Sequence, residues 1–163
     1  MTLHDFWNII ESSWEDSPEL NHQRLEAIKT GDEELLNDLS MELEGEILEN
    51  YNERLSHLDK QELTSFIRHF EERMYHIDRQ AIHQNTDGSD DGFLYCRCFI
   101  VGMGKTYYDM IDKDPSKATA DLEAEPFGFS AYDVYEELFG EDFDRYAFHS
   151  METGSNKEQW IFE

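Results

Sequence analysis

The sequence feature that most constrains the fold is a run from Phe93 to Val101, in which every side chain except that of Arg97 is apolar. A helix that is apolar on all sides has no face suited to water, so it must be buried. Ser89 or Asp90 can cap such a helix, and Gly102 can end it. The run therefore predicts a central buried helix around which the rest of the chain is organised.

Two long amphipathic segments precede this central helix. Apolar residues recur three or four positions apart in both, which is typical of helices that bury one face. The first segment contains Leu36, Leu39, Leu43, Ile47, Tyr51 and Leu55. The second contains Leu63, Ile67, Phe70, Met74, Ile77 and Ala81. A turn near residues 57–59 would join the two helices into an antiparallel hairpin, with Gly45 marking a close crossing or a bend in the first.

Capping signals indicate further helices on both sides of these segments. Thr2 can cap a first helix, and Ser17 followed by Pro18 can start a second. Near the C-terminus, Ser130 is predicted to cap a helix that ends at Gly140 and that turns four apolar side chains towards the core: Ala131, Val134, Tyr135 and Leu138. These patterns predict an all-α fold, an antiparallel helical hairpin packed around a central buried helix, in a single domain over residues 1–163.

The charge of the chain restricts its partners. The chain has 38 acidic and 13 basic residues in 163, which gives a formal net charge of −25. Nucleic-acid binding requires Lys and Arg to neutralise phosphates, so nucleic acids and anionic membrane surfaces are not expected partners. An acidic surface instead attracts basic proteins. A hydrophobic content of 39% predicts a folded chain in spite of this charge.

The predicted location is the cytoplasm. No run of about 18 apolar residues could span a membrane, and Asp5 stands where a secretory signal would be basic. Cys96 and Cys98 would point about 200° apart on a helix, so they could neither form a normal disulfide nor chelate one metal together. Reduced thiols, no metal and no other cofactor are expected.

The central stretch resembles a bacterial family catalogued as domain of unknown function 4240. The resemblance rests on Ser89-Asp90-Asp91, on the apolar run that contains Arg97, on Gly104-Lys105 and on Asp114-Pro115. Phe6-Trp7 and Glu125-Pro126-Phe127 extend it to both ends of the chain. Cys96, Phe99 and Val101 replace the Phe, Trp and Ile usual in the family, and these changes preserve apolar packing. The resemblance implies a mostly helical cytoplasmic domain and supplies no established activity.

Two motifs in the central stretch are incomplete. Gly104-Lys105-Thr106 ends like a phosphate-binding loop, but the full pattern requires glycine at the position of Phe99, so a helix end is predicted here. The residues from Asp87 to Gly92 match the first half of a calcium loop. Its twelfth position would be a bidentate Glu and is Cys98, so turn and capping roles are expected instead.

Three histidines, His69, His76 and His83, lie seven residues apart on the second amphipathic segment. On one helix that spacing separates successive rings by about 10.5 Å along the axis, so they could not share a metal without other ligands. A position flanking the apolar face, with some sensitivity to pH, is the expected role.

The charges most embedded in apolar sequence allow two interpretations. They belong to Asp90, Asp91, Arg97 and Lys105, next to Ser89. A buried arginine must be paired, so these residues could form a network that fixes the central helix. The alternative is a small enzyme or ligand-binding domain whose pocket lies around these residues.

The acidic residues of the first amphipathic segment provide the leading functional hypothesis. The predicted partner-binding residues are Asp32, Glu34, Asp38, Glu42, Glu46, Glu49 and Glu53. Further acids, including Glu136 and Glu137, crowd the C-terminal third. Aromatic anchors are expected from Tyr51, Tyr132, Tyr135 or Trp160. Because no catalytic motif is complete, the sequence favours a non-enzymatic protein that binds and neutralises a basic protein, such as a toxin, in the manner of an immunity protein or antitoxin.

Overall fold

The computed structural model describes residues 1–86 and 88–161, and in that part of the chain all regular secondary structure is helical. The predicted all-α class is therefore confirmed. The α-helices within the described residues are α1 (Leu3–Glu15), α2 (Pro18–Thr30), α3 (Glu33–Glu42), α4 (Glu46–Ser56), α5 (Lys60–His76), α6 (Gln80–His83), α7 (Asp90–Gly102), α8 (Lys105–Lys113) and α9 (Glu125–Phe139). Two 3-10 helices lie at Pro115–Lys117 and Lys157–Gln159. None of the helices described is long and apolar enough to cross a membrane.

Helix α7 is the predicted central helix, and it is buried along most of its length. Ser89 caps it by accepting a hydrogen bond from the Gly92 amide at 3.0 Å. From Phe93 onwards only Tyr95 is partly exposed, and α9, α5 and α8 pack around the rest. A β-carbon at Gly128 of α9 would lie 2.1 Å from the Cys98 sulfur, so α7 and α9 approach closely because this residue is glycine.

The first amphipathic segment forms two helices, so the prediction of one continuous helix was wrong. The helical pattern breaks at residues 43–45, between α3 and α4. Gly45 lies at this bend. In the interior of a helix, glycine is less stable than alanine by about 1 kcal/mol. Leu43 stays fully buried at the break. As a result α3 packs on α2, whereas α4 packs on α1 and α9.

The second segment is also divided, with α5 ending at His76 and α6 beginning at Gln80. Asp78 lies between them and is fully buried. Its carboxylate accepts hydrogen bonds from the amides of Gly154 at 3.1 Å and Asn156 at 3.0 Å. Helix α5 therefore ends just before the residue whose buried carboxylate binds the C-terminal segment. Beyond the break the apolar pattern shifts, so that Ile82 is buried rather than Ala81.

The predicted antiparallel hairpin of these two segments stays a prediction. Helix α4 packs chiefly on α1 and α9, and α5 packs chiefly on α9 and α7. A contact between the Tyr51 and Phe66 rings, whose centroids are 5.8 Å apart, connects α4 with α5. Helices α9 and α1 are thus neighbours of both α4 and α5.

Helix α9 begins five residues before the predicted cap at Ser130. Pro126 occupies its first turn, where the missing amide hydrogen is not needed for helix bonding. Ser130 therefore lies in the second turn rather than at the N-terminus. Gly140 ends the helix with φ of 66°, as its position predicted. Leu138 was expected in the core, but its side chain is 43% exposed.

Candidate functional site

Arg97, the charge embedded in the central run, is fully buried and hydrogen-bonded to the backbone. Its guanidinium donates to the carbonyls of Met74 at 3.0 Å and Met151 at 2.8 Å, and to the Thr153 hydroxyl at 3.2 Å. Burial lowers the pKa of this guanidinium, and the nearby carboxylate of Asp78 opposes that effect. Arg97 therefore joins α7 to the end of α5 and to the C-terminal segment.

The other residues of the predicted pocket do not converge on Arg97. Asp90 and Asp91 are exposed in the first turn of α7, where the helix dipole favours negative charge. Asp90 contributes only its carbonyl, which accepts from Thr153 Oγ1 at 2.6 Å. Lys105 lies past the opposite end of the helix, exposed and paired with Asp109. Thirteen helical residues rise by roughly 18 Å, so these side chains share no pocket.

The C-terminal segment is held by Asp78 as well as by Arg97. The Trp160 indole nitrogen donates to the Asp78 carbonyl at 3.0 Å and to its carboxylate at 3.1 Å. Trp160 was expected to anchor a partner; its half-buried ring is bonded within the fold, and a contact with a partner stays a prediction. Phe162 lies outside the described residues.

Gly104, Lys105 and Thr106, which resemble the end of a phosphate-binding loop, lie at the start of α8. The carboxylate of Glu11 occupies the N-terminus of this helix. The Glu11 side chain accepts from the Lys105 amide at 3.1 Å and pairs with Arg24 at 2.6 Å. Gly104 has φ of +94°, and a β-carbon there would lie 2.3 Å from Glu11 Oε1. The glycine is thus needed for this close carboxylate contact. Asp87 of the calcium-like pattern lies outside the described residues.

The three histidines lie in three different environments. The Nε2 atom of His69 is 3.1 Å from the Met1 carbonyl, and that of His76 is 3.3 Å from the Asp112 carboxylate. His83 belongs to α6 rather than α5 and packs between the rings of Phe93 and Trp160. Across residues 1–86 and 88–161, no group of three or more His, Cys, Asp or Glu side chains could hold a metal ion.

The predicted partner-binding acids fall into two groups because the first segment is divided. Asp32, Glu34, Asp38 and Glu42 belong to α3 and its cap, and Asp32 accepts from the amides of Glu34 and Leu35. Glu46, Glu49 and Glu53 belong to α4. Within α4, Glu46 accepts from the Ser17 hydroxyl at 2.9 Å, whereas Glu49 and Glu53 face α9 across a cleft.

This α4–α9 cleft has a volume of about 490 Å³. Its lining combines four carboxylates with three neutral polar side chains and two apolar ones. The residues that line it are Glu49, Asn52, Glu53, Ser56, Ser130, Asp133, Val134, Glu137 and Leu138. The cleft is therefore the place where the acids of the first segment meet those of the C-terminal third.

The carboxylates of the α4–α9 cleft form two like-charge pairs at i,i+4 spacing. Glu49 and Glu53 lie on α4, and Asp133 and Glu137 lie on α9. In the described part of the chain, Glu49, Asp133 and Glu137 form no ion pair, and Glu53 contacts only His57, at 3.0 Å. Like charges at this spacing destabilise a helix by about 0.2–0.5 kcal/mol per pair. The cleft is thus a concentration of negative charge that the fold does not neutralise.

Two buried polar atoms of the cleft residues lack a hydrogen-bond partner within the described residues. They are Ser130 Oγ and Asn52 Oδ1. Ser130 is only 8% exposed, and leaving a buried polar group unpaired costs about 1–3 kcal/mol. Both atoms belong to residues that line the cleft together with the carboxylates.

The remaining predicted anchors are in the core. Tyr51 is fully buried and stacks on Phe127 with ring centroids 4.1 Å apart. Tyr132 donates to the buried Glu71 carboxylate at 2.9 Å, and Tyr135 donates to Glu141 at 3.0 Å. These three tyrosine rings are buried and packed within the fold, so they are not exposed as anchors. The exposed apolar side chain at the cleft is Leu138.

Sequence reasoning predicted Glu49 and Glu53 as partner-binding residues and noted Glu137 among the C-terminal acids, but it did not single out Asp133 or Ser130 as binding residues. Asp133 and Glu137 show the same i,i+4 spacing as the predicted pair. Ser130 was missed because it was interpreted as a helix cap. Pro126, which favours the first turn of a helix, was the signal that could have placed Ser130 inside α9.

Comparison with known proteins gives one match. No curated protein and no solved structure matches the chain. The family described as protein of unknown function, DUF4240, matches residues 1–151 of the 163. The chain therefore belongs to the DUF4240 family.

Proposed function

We propose that this protein binds a basic protein partner through its acidic surface, with the α4–α9 cleft at the centre of the contact. Support comes above all from the two like-charge pairs that line the cleft, Glu49 with Glu53 and Asp133 with Glu137. Repulsion within each pair works against folding. A cationic partner would relieve that repulsion, so binding would recover free energy that the isolated chain lacks.

The net charge of −25 supports the same proposal at longer range. An excess of one sign of charge steers an oppositely charged partner towards the surface and raises the association rate, most strongly at low salt. The acids of α3 (Asp32, Glu34, Asp38 and Glu42) would contribute to this field. Their direct contact with a partner stays a prediction.

We propose neutralisation of the partner, as by an immunity protein or antitoxin, as the biological outcome, and the cytoplasm as its site. Cys96 and Cys98 are buried thiols outside any disulfide, and burial raises the pKa of the Cys98 thiol to about 12. Reduced, unreactive thiols are compatible with a reducing compartment. The alternative of an enzyme pocket around Asp90, Asp91, Arg97 and Lys105 gains no support, because those side chains do not converge.

Affinity capture tests the proposal. The chain and a variant with amides in the cleft (Glu49→Gln, Glu53→Gln, Asp133→Asn and Glu137→Gln) are each used to capture proteins from cells that produce the chain. A double variant on α2, Glu19→Gln with Glu26→Gln, is compared with the α9 half of the cleft variant, Asp133→Asn with Glu137→Gln, because each pair removes two charges and the α2 residues are exposed outside the cleft. We expect a basic protein that the chain and the α2 variant retain and that the cleft variant loses.

Growth measurements then test neutralisation. The captured protein is expressed alone, with the chain, and with the cleft variant. We expect growth arrest in the first case, recovery with the chain, and no recovery with the cleft variant. Capture of no basic protein, or retention that is indifferent to the cleft amides and to salt, would overturn the proposed function.

A further inference from the structure

We infer that the α4–α9 cleft is a binding site for an arginine side chain of the partner. This inference rests on the proposed function and names the chemical group that its central site recognises. The cleft joins carboxylates, unpartnered neutral acceptors and an apolar surface in one place, and each of these restricts the ligand.

The carboxylates favour a cation, and within the described residues they are not grouped as the ligands of one metal ion. Glu49 and Glu53 project from α4, while Asp133 and Glu137 project from the facing helix. In the described part of the chain no three acidic, histidine or cysteine side chains are close enough to coordinate one ion. A cation with several hydrogen-bond donors can satisfy such separated groups, whereas a metal ion needs its ligands within about 2.0–2.6 Å.

The apolar part of the cleft requires a cation with an aliphatic stem. Val134 is nearly buried at 8% exposure, and Leu138 beside it is 43% exposed although it belongs to the same helix. Lys and Arg side chains pack their methylene groups on apolar surface while the charged end reaches polar groups. Leu138 thus supplies packing for the stem.

The neutral acceptors favour arginine over lysine. Ser130 Oγ and Asn52 Oδ1 are buried atoms without a partner, and they belong to residues that line the cleft together with the carboxylates. A guanidinium carries five donors in a fixed planar fork and can bond to neutral and charged acceptors at once. An ammonium group has three donors on one atom and is more strongly hydrated. Arginine therefore fits the mixed set of acceptors better.

Fluorescence anisotropy with short labelled peptides tests this inference at physiological ionic strength. The probes are a fluorescein-labelled Gly/Ser peptide with three arginines, the same peptide with three lysines, and the same peptide with three citrullines. We expect the arginine peptide to bind at least about threefold more tightly than the lysine peptide, and the uncharged citrulline peptide not to bind.

Matched variants locate the binding site. Asp133→Asn with Glu137→Gln should weaken arginine-peptide binding by about tenfold, and Glu19→Gln with Glu26→Gln on α2, which removes the same charge, by less than about twofold. Ser130→Ala should leave the charge unchanged and reduce the preference for arginine over lysine. Circular dichroism establishes that each variant is folded.

The outcomes separate this inference from the proposed function. Equal weakening by the cleft pair and the α2 pair, or an arginine preference that survives Ser130→Ala, would overturn the arginine site while leaving capture of a basic protein intact. Failure of the arginine peptide to bind a chain that still captures its basic partner would overturn it as well. Loss of the proposed function would appear instead in the capture experiment.

Discussion

The surroundings of α7 and the α4–α9 cleft differ in how their charges are paired. Arg97 in the middle of α7 and Arg24 beside its C-terminal end are buried, and each donates to several acceptors within the chain. In the cleft, Asp133 and Glu137 have no cation within the described residues. The comparison teaches that buried charges of the core are bonded within the fold, whereas the carboxylates of an exposed helix face can stay without a cation.

The largest expected effect comes from breaking the Arg97 network. Arg97→Met would leave the buried carbonyls of Met74 and Met151 without their donor and the Asp78 carboxylate without a nearby positive charge. Removing one member of a buried charged network costs about 3–5 kcal/mol. We expect a loss of that size in the free energy of unfolding, measured with urea. A loss below about 1 kcal/mol, as at an exposed site, would contradict a structural role for Arg97.

A smaller loss is expected where Glu11 caps α8. Gly104→Ala places a β-carbon against Glu11 Oε1 and forces a residue with a side chain to adopt φ of +94°. Such a backbone position costs about 1–3 kcal/mol for a residue other than glycine. Urea unfolding should show a loss of about 2 kcal/mol. Gly31→Ala provides a control for φ alone, because its φ is +68° and nothing lies within 4 Å of the added carbon.

Removal of carboxylates from the cleft should instead stabilise the protein. Asp133→Asn with Glu137→Gln removes a like-charge pair at i,i+4 spacing and should raise the free energy of unfolding by about 0.2–0.5 kcal/mol while binding weakens. Thermal unfolding at low and high salt measures the effect, and the gain should shrink with salt because the repulsion is screened. A loss of stability would mean that these carboxylates are paired within the fold, and the comparison would fail.

The last prediction concerns an exposed ion pair, and its effect depends on pH. Hydrogen bonds from Arg54 hold the pKa of Asp16 below its ordinary value of 3.8. A lowered pKa in the folded state adds stability above pH 3.8, and that stability is lost as the pH falls through the lower, folded value. Arg54→Gln should therefore cost at most about 1 kcal/mol at pH 7, and this cost should shrink as the pH falls below 3.8. Nuclear magnetic resonance titration of Asp16 checks the direction, and an unchanged pKa in the variant would refute it.

The sequence predicted what depends on local pattern. The apolar run from Phe93 to Val101 located the central helix, and Ser89 located its start. Thr2 was predicted to cap α1, and it accepts from the Asp5 amide at 3.1 Å. Each of these features depends on residues only a few positions apart, so the periodicity and capping chemistry of the chain were sufficient.

What the sequence could not predict depends on distant contacts. Apolar spacing continued through Gly45 and Asp78, although tertiary packing divides the helix at both places. The partners of Arg97 lie 23, 54 and 56 residues away, so no local pattern identifies them. The cleft itself could not be predicted for the same reason, since only the packing of α4 on α9 brings Glu53 and Asp133 to one surface.

The contacts of Arg97 and Asp78 extend the folded domain beyond the residues that match the family. The family match ends at residue 151, yet Thr153, Gly154, Asn156 and Trp160 provide contacts for Arg97 and Asp78 beyond that point. A chain shortened to the matched residues would keep the arginine of the central motif and lose its hydroxyl partner, together with the amides that hold Asp78. Truncation at residue 151 should therefore yield a less stable protein, and the boundary for recombinant expression belongs after Trp160.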